Sequence, residues 1–222
     1  MLAAWLTFPT ACTNSLEPAG LETPVQRSLQ LARLPGSSYR TPDECLSTLE
    51  RAIESKSGAG ARAYLLAFSN PDAKIGTRAF QAVYDSRVLS AWESAQAQIA
   101  PDPWGIVLER GVPTELFRIR PNYSYHFHWL RDPSAPNDDT AADTVLFHRL
   151  YRLIASPPRN VSGASDQIIA IGACDLSFER ASGGWSIFRW VDHADPQLGP
   201  SPPNQDARSF TWWRLESLVA GR

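Results

Sequence analysis

Gly183-Gly184-Trp185-Ser186-Ile187-Phe188-Arg189-Trp190-Val191-Asp192 closes a run from Tyr123 to His193 that reads as strands separated by a loop and turns. Where apolar residues recur at every second position, one strand face is buried and the other is wet. Tyr123, Tyr125, Phe127 and Trp129 alternate with Ser124, His126, His128 and Leu130, which puts four aromatics on one face and two histidines on the other. Asp132 to Asp143 is a polar loop. Val145 to Ile154 then reads as a strand, Gln167 to Arg180 as a longer one and Trp185 to Asp192 as the last. Ser182-Gly183-Gly184 between the final two predicts a tight hairpin.

Upstream of Pro121 the period is helical. Thr41 can cap a helix, Pro42 suits its first position and Glu44 completes a T-x-x-E capping box. Cys45, Leu46, Leu49, Ala52 and Ile53 follow on one side, with Glu50, Arg51 and Glu54 toward water, and Gly58 and Gly60 mark the end near Lys56. A short second helix is predicted from Ala61 to Phe68, and Asn70-Pro71-Asp72 is a turn. Phe80, Val83, Tyr84, Val88, Leu89 and Trp92 predict a third helix from Thr77 to about Ile99, closed by Pro101 and Pro103. Residues 104–108 and 116–120 are short strand candidates flanking Gly111 and Pro113.

The 222 residues are 43% hydrophobic, enough for one sizeable core with tails. A formal net charge of -2, from 21 basic and 23 acidic residues spread along the chain, gives no electrostatic footprint for nucleic acid or an anionic membrane surface. Only Lys56 and Lys74 are lysines, a bias that fits GC-rich coding. Residues 1–12 are apolar but too short to span a bilayer, and Thr10-Ala11-Cys12 resembles a bacterial lipobox, in which the cysteine is acylated. Pro9 stands where a Leu-like residue is usual, and no Lys or Arg precedes Arg27. Residues 13–40 read as a linker, 41–195 as the folded domain and 196–222 as a Pro-rich segment with a tail whose Phe210 to Leu215 is a short strand or a packing segment. With Cys12 lipidated and the chain exported, Cys45 and Cys174 remain as a candidate disulfide; the alternative is two buried free thiols.

The order of helix, short helix, helix and then strands ending in Gly-Gly-Trp-Ser-Ile-Phe-Arg-Trp-Val-Asp resembles the NTF2-like superfamily, the SnoaL-like or cystatin-like α+β cone, over roughly residues 41–193. Glu44 to Ile53 stands for the long first helix, Tyr64-Leu65-Leu66-Ala67-Phe68 for the second, and Trp185 and Trp190 for the terminal strand. The chain is similar, more narrowly, to bacterial NTF2-like lipoproteins, although Ala73 replaces the aromatic of their Pro-Asp-Phe. The resemblance implies three N-terminal helices packed on a strongly curved antiparallel sheet, with a pocket at the open end. That fold hosts isomerases, dehydratases, ligand binders and dimerisation modules, so activity must be argued from the site.

Enzymes of this resemblance use an Asp, assisted by His or Tyr, to remove a proton in an apolar pocket. Asp85, Asp175 and Asp192 are the candidate bases, with His126, His128 or His148 assisting and His193 beside Asp192. Asp192 is expected at a wet strand end, Asp85 on a wet helical face and Asp175 away from the apolar side. His126 and His128, at i and i+2, would need a third ligand to hold a metal, and no fixed motif supplies one, so no metal or cofactor is expected. The chain has no Gly-rich phosphate loop, no nucleophile elbow and no H-E-x-x-H. Tyr123, Tyr125, Phe127, Trp129, Phe188 and Trp190 can line a ligand pocket, form a homodimer face or fill a core. The expected function is an exported, lipid-anchored domain of the cell envelope that binds a small molecule or protein partner without catalysis. The alternatives are a SnoaL-like isomerase, dehydratase or hydrolase, and a dimerisation module.

Overall fold

The computed structural model describes residues 39–181, 184–193 and 208–220. The lipobox-like segment with Cys12, and nearly all of the expected linker, lie outside them. The linker reading ends early, because Tyr39 is buried and its carbonyl accepts from Trp185 N at 2.8 Å.

Helix α1, Pro42–Glu54, starts where its capping signal stands: Thr41 Oγ1 accepts from Glu44 N at 3.1 Å, and Glu44 reaches back to Arg40 N at 2.7 Å. Its buried face is Cys45, Leu46, Leu49, Ala52 and Ile53, and each fully buried Leu or Ile contributes about 1.5–3 kcal/mol. Helix α2, Gly58–Leu66, begins three residues before the expected Ala61, because Ser57 caps it through Gly60 N at 3.0 Å. Gly60 permits this tight junction, since a Cβ there would lie 2.4 Å from the Ala52 carbonyl.

The expected third helix is two elements. Gln81–Val83 is strand β1, with only Ala82 buried, and helix α3 is confined to Ser86–Gln96. Asp85 makes the division: its Oδ1 accepts from Arg87 N at 2.9 Å and Val88 N at 3.1 Å, an N-cap that starts a helix and cannot sit inside one. Of the two short strand candidates, only Trp104–Gly105 is extended, as β2. Ile106–Glu109 is α4 and Gly111–Ile119 is α5, where Val112 and Leu116 are buried four residues apart.

Strands β3 (Ser124–Arg131), β5 (Thr144–Ser156), β6 (Gln167–Ala181) and β7 (Gly184–His193) realise the period-2 reading, and a two-residue β4, Asp139–Thr140, appears within the expected loop. The sheet runs β2-β1-β7-β6-β5-β3, with β4 on β5. It is mixed rather than wholly antiparallel, because β1 runs parallel to β7. Register shifts at Leu153/Ile154 and Ser177/Phe178 are bulges that bend the strands around the helices. The molecule is therefore an α+β fold with an open, curved sheet.

The segment read as a short strand or a packing segment packs as a helix, α6, Phe210–Ala220, with Phe210, Thr211, Trp213, Arg214 and Leu215 buried. It extends the core past residue 195. Cys45 and Cys174 are free and buried rather than bridged; Cys45 Sγ instead approaches the Ala67 carbonyl at 3.5 Å. Burial pushes both thiols up.

Candidate functional site

Side chains from four elements, α2, β2, α4 and α6, meet in the interior of the fold. Glu109, at the end of α4, is completely buried and accepts from Tyr64 Oη at 2.6 Å, Trp104 Nε1 at 2.5 Å, Arg214 Nε at 2.9 Å and Arg214 Nη2 at 3.1 Å. Arg214 is also completely buried, and its Cζ lies 4.6 Å from the Trp190 ring centroid and 5.8 Å from that of Phe210. Desolvating two such ions costs several kcal/mol each. The bidentate fork and the two further donors on Glu109 offset that cost. Burial alone would lower the Arg214 pKa, but the charge and hydrogen bonds of Glu109 drive it upward, so the guanidinium stays charged. Burial and the neighbouring Glu109 carboxylate push the Tyr64 hydroxyl far up, which keeps it a donor.

A second carboxylate lies beside this pair. Asp192 is 1% exposed, not at a wet strand end as its sequence position suggests. Its Oδ1 accepts from Tyr151 Oη at 2.7 Å and its Oδ2 from Thr211 N at 2.6 Å, so it caps the first turn of α6. Tyr151 Oη in turn accepts from Phe210 N at 2.9 Å. Gly172, opposite Tyr151 on β6, makes the reach possible, since a Cβ there would stand 2.3 Å from the Tyr151 oxygen.

The aromatic residues read from the sequence divide between two faces. Tyr125, Phe127 and Trp190 are buried, and Trp129 is half-buried against Phe127 and Trp190 at centroid distances of 4.7 Å and 5.6 Å. Phe210 of α6 packs into this group, 5.8 Å from Phe127, 5.1 Å from Tyr151 and 4.9 Å from Trp190. Tyr123 lies just before β3. Phe188, the unpaired extra residue of β7 at the Ser177/Phe178 register shift, leaves the set and stacks on the Arg78 guanidinium at 4.4 Å. Arg78, Asp139, Thr144, Leu146, Ser177 and Phe188 line an open surface groove of ≈ 250 Å³.

Of the other candidate bases, Asp85 is buried as the α3 cap rather than wet, and its backbone N–H donates to Thr211 Oγ1 at 3.0 Å. Asp175 is part-exposed on the sheet face opposite the core residues Cys174 and Leu176. There it joins two histidines from neighbouring strands, His148 Nδ1 at 2.6 Å and His193 Nε2 at 3.1 Å. His126 and His128 are exposed on β3 and do not join that cluster. Among the described residues no three His, Cys, Asp or Glu side chains converge as a metal site.

The sequence reading did not single out Glu109, Arg214, Tyr64 or Trp104. One signal was present: Arg214 lies four residues after Phe210 within Phe-Thr-Trp-Trp-Arg-Leu, so a helix places both on one apolar face. A charge inside such a face needs a buried partner.

No protein-family model and no curated protein matches the sequence. Solved structures resemble the fold. A protein of unknown function from Mycobacterium tuberculosis is 11% identical, with 80% of this chain and 89% of that chain covered at a TM-score of 0.47. An NTF2-like protein with a cystatin-like fold from Novosphingobium aromaticivorans is 12% identical, with 67% and 76% covered at a TM-score of 0.44. These likenesses bring no activity with them.

Proposed function

We propose that this chain is a non-catalytic binding domain, exported and anchored in the cell envelope through Cys12, that engages a small molecule or a protein partner from its outer surface. One observation carries the non-catalytic reading: each carboxylate suited to act as a base already serves the fold. Asp192 accepts from Tyr151 and from the first turn of α6. Glu109 accepts four hydrogen bonds, and Asp85 is held as a helix cap. A general base must reach a substrate proton at hydrogen-bond distance, and these three carboxylates are buried and turned to hydrogen bonds that hold the fold together. Asp175 is the exception in exposure, but it lies between His148 and His193 on the open sheet face, without the apolar enclosure that proton abstraction requires. The groove beside Arg78 and Phe188 offers a guanidinium, an aromatic face and hydroxyls, a set suited to binding a polar ligand or a short segment of a partner.

The anchor rests on Thr10-Ala11-Cys12. Among the described residues no helix is long and apolar enough to cross a membrane, so a lipid on Cys12 would supply the attachment. The test is mass spectrometry of the protein isolated from its own envelope. Denatured, its N-terminal peptide should carry the mass of an acylated Cys12; an unmodified cysteine ends the anchor. Under native conditions a non-covalent adduct should be retained that Arg78→Ala loses. An adduct insensitive to Arg78→Ala moves the binding site elsewhere, and the absence of any adduct counts against the binding reading.

A further inference from the structure

The Glu109 site has the composition of a receptor for an arginine side chain. We propose that the interior of the cone is a guanidinium-binding site, occupied in cis by Arg214 of α6, that accepts a free alkylguanidinium when that side chain is removed. The site is complete without Arg214. Glu109 comes from α4 and its other two donors, Tyr64 and Trp104, from α2 and β2, so the carboxylate is oriented by elements separate from α6. With those two bonds in place, Oε1 and Oε2 each keep a lone pair for one arm of a planar fork, and Arg214 meets them through Nη2 and Nε at 3.1 Å and 2.9 Å. Trp190 of β7 supplies the stacking face, 4.6 Å from Cζ. A carboxylate with both oxygens presented, beside a tryptophan face and shielded from water, recognises a planar delocalised cation and discriminates against an ammonium, which is a point charge with a tightly held hydration shell.

Charge points the same way. Glu109 and Asp192 are both buried, and Arg214 is a fully buried cation paired with Glu109, with Asp192 among the charges that raise its pKa. Removing Arg214 leaves the buried Glu109 carboxylate without its ion-pair partner. Among the described residues Arg214 Nη1 has no hydrogen-bond partner, so affinity for the group rests on the fork to Glu109 and the stack on Trp190. Ethylguanidinium reproduces both.

The test is rescue of an Arg214→Ala variant by ethylguanidinium, read as thermal unfolding of the full chain. Loss of the buried partner should lower Tm by roughly 10 °C. Ethylguanidinium at about 10 mM, far below denaturing concentrations, should recover part of that loss along a saturable curve. Wild type, with its site filled, should not respond, and neither should an Arg214→Ala, Glu109→Gln double variant. If the alanine variant does not fold by itself, the readout becomes refolding in the presence of ethylguanidinium. Arg214→Lys separates a guanidinium site from a general cation site and should remain well below wild type in Tm. The proposal is overturned by an alanine variant as stable as wild type, by no rescue of Tm or refolding, by equal rescue with ethylammonium, or by a lysine variant matching wild type. These readouts do not depend on export, on Cys12 or on the surface groove, so they stand or fall separately from the binding function.

Discussion

Glu179 shows how much one side chain on β6 organises. It is 3% exposed and accepts from Ser69 Oγ at 2.6 Å, Thr77 N at 2.8 Å, Thr77 Oγ1 at 2.6 Å and Arg78 N at 2.9 Å. It thus clasps the loop that carries Arg78 to the groove. Burial pushes its carboxyl up, but the hydrogen bonds from Ser69, Thr77 and Arg78 outweigh burial and hold it below the ordinary range. A depressed carboxylate stabilises the fold fully above its unfolded pKa, about 4.3, and that contribution fades as pH falls through the folded value. Glu179→Gln should therefore lose about 1–3 kcal/mol near neutral pH, with the gap to wild type closing in acid. Urea unfolding of both chains at pH 7 and pH 3 measures this, and a gap independent of pH would show that the charge is not what holds the loop. Gly76 is required by the same clasp. Its φ is +72°, and a Cβ there would stand 2.1 Å from Ser69 Oγ and 2.4 Å from Glu179 Oε1. Gly76→Ala should cost at least about 1–2 kcal/mol in the same assay, and a neutral result would contradict the tight loop.

At the scale of elements, the free edge of the sheet is closed by a helix. Strand β3 ends the strand order, and two of its N–H groups are taken by α1: Phe127 N donates to Glu54 Oε1 and Trp129 N to Glu50 Oε1, both at 3.1 Å. The two glutamates read from the sequence as solvent-facing are thus edge caps, which suppress pairing with another chain. A Glu50→Ala, Glu54→Ala variant should associate with rising concentration by light scattering; a strictly monomeric variant with wild-type stability would remove this role. The sequence showed α1 through Thr41 and Glu44, and β3, β5, β6 and β7 through their alternation. It misread β1 because Phe80, Val83 and Tyr84 have helical spacing, whereas the extended segment buries Phe80 and Ala82 and leaves Val83 exposed; the deciding signal was Asp85 as a cap. It misread 116–120 because a short apolar run has no period long enough to separate the two structures. The interior site was less legible still. Glu109 and Arg214 are 105 residues apart, and their pairing depends on the route of α6 across the cone, which no local spacing encodes.

On the scale of the whole molecule, α6 spans two cores, both of which Tyr84 also touches. Phe210 and Trp213 belong to the main cluster between helices and sheet, whereas Leu215 packs with Trp92 and Ala100 under α3. Polar contacts follow the same division. Thr211 links Asp192 of β7 to the backbone of Asp85 ahead of α3, and Trp213 Nε1 donates to the Ile169 carbonyl of β6 at 2.9 Å. A helix that contributes to both clusters couples their unfolding, since neither can open without exposing part of the same element. Phe210→Ala, in the main cluster, should cost about 3–5 kcal/mol, and Leu215→Ala, in the smaller one, about 2–5 kcal/mol. Each should lower the Tm of one transition by roughly 2–4 °C per kcal/mol. Differential scanning calorimetry is the discriminating measurement. In both variants the calorimetric and van't Hoff enthalpies should still agree, because the loss is shared through α6. A second, earlier transition in Leu215→Ala alone would mean that the cluster under α3 melts independently, and α6 would then be a passenger on the main core rather than the element that unites the fold.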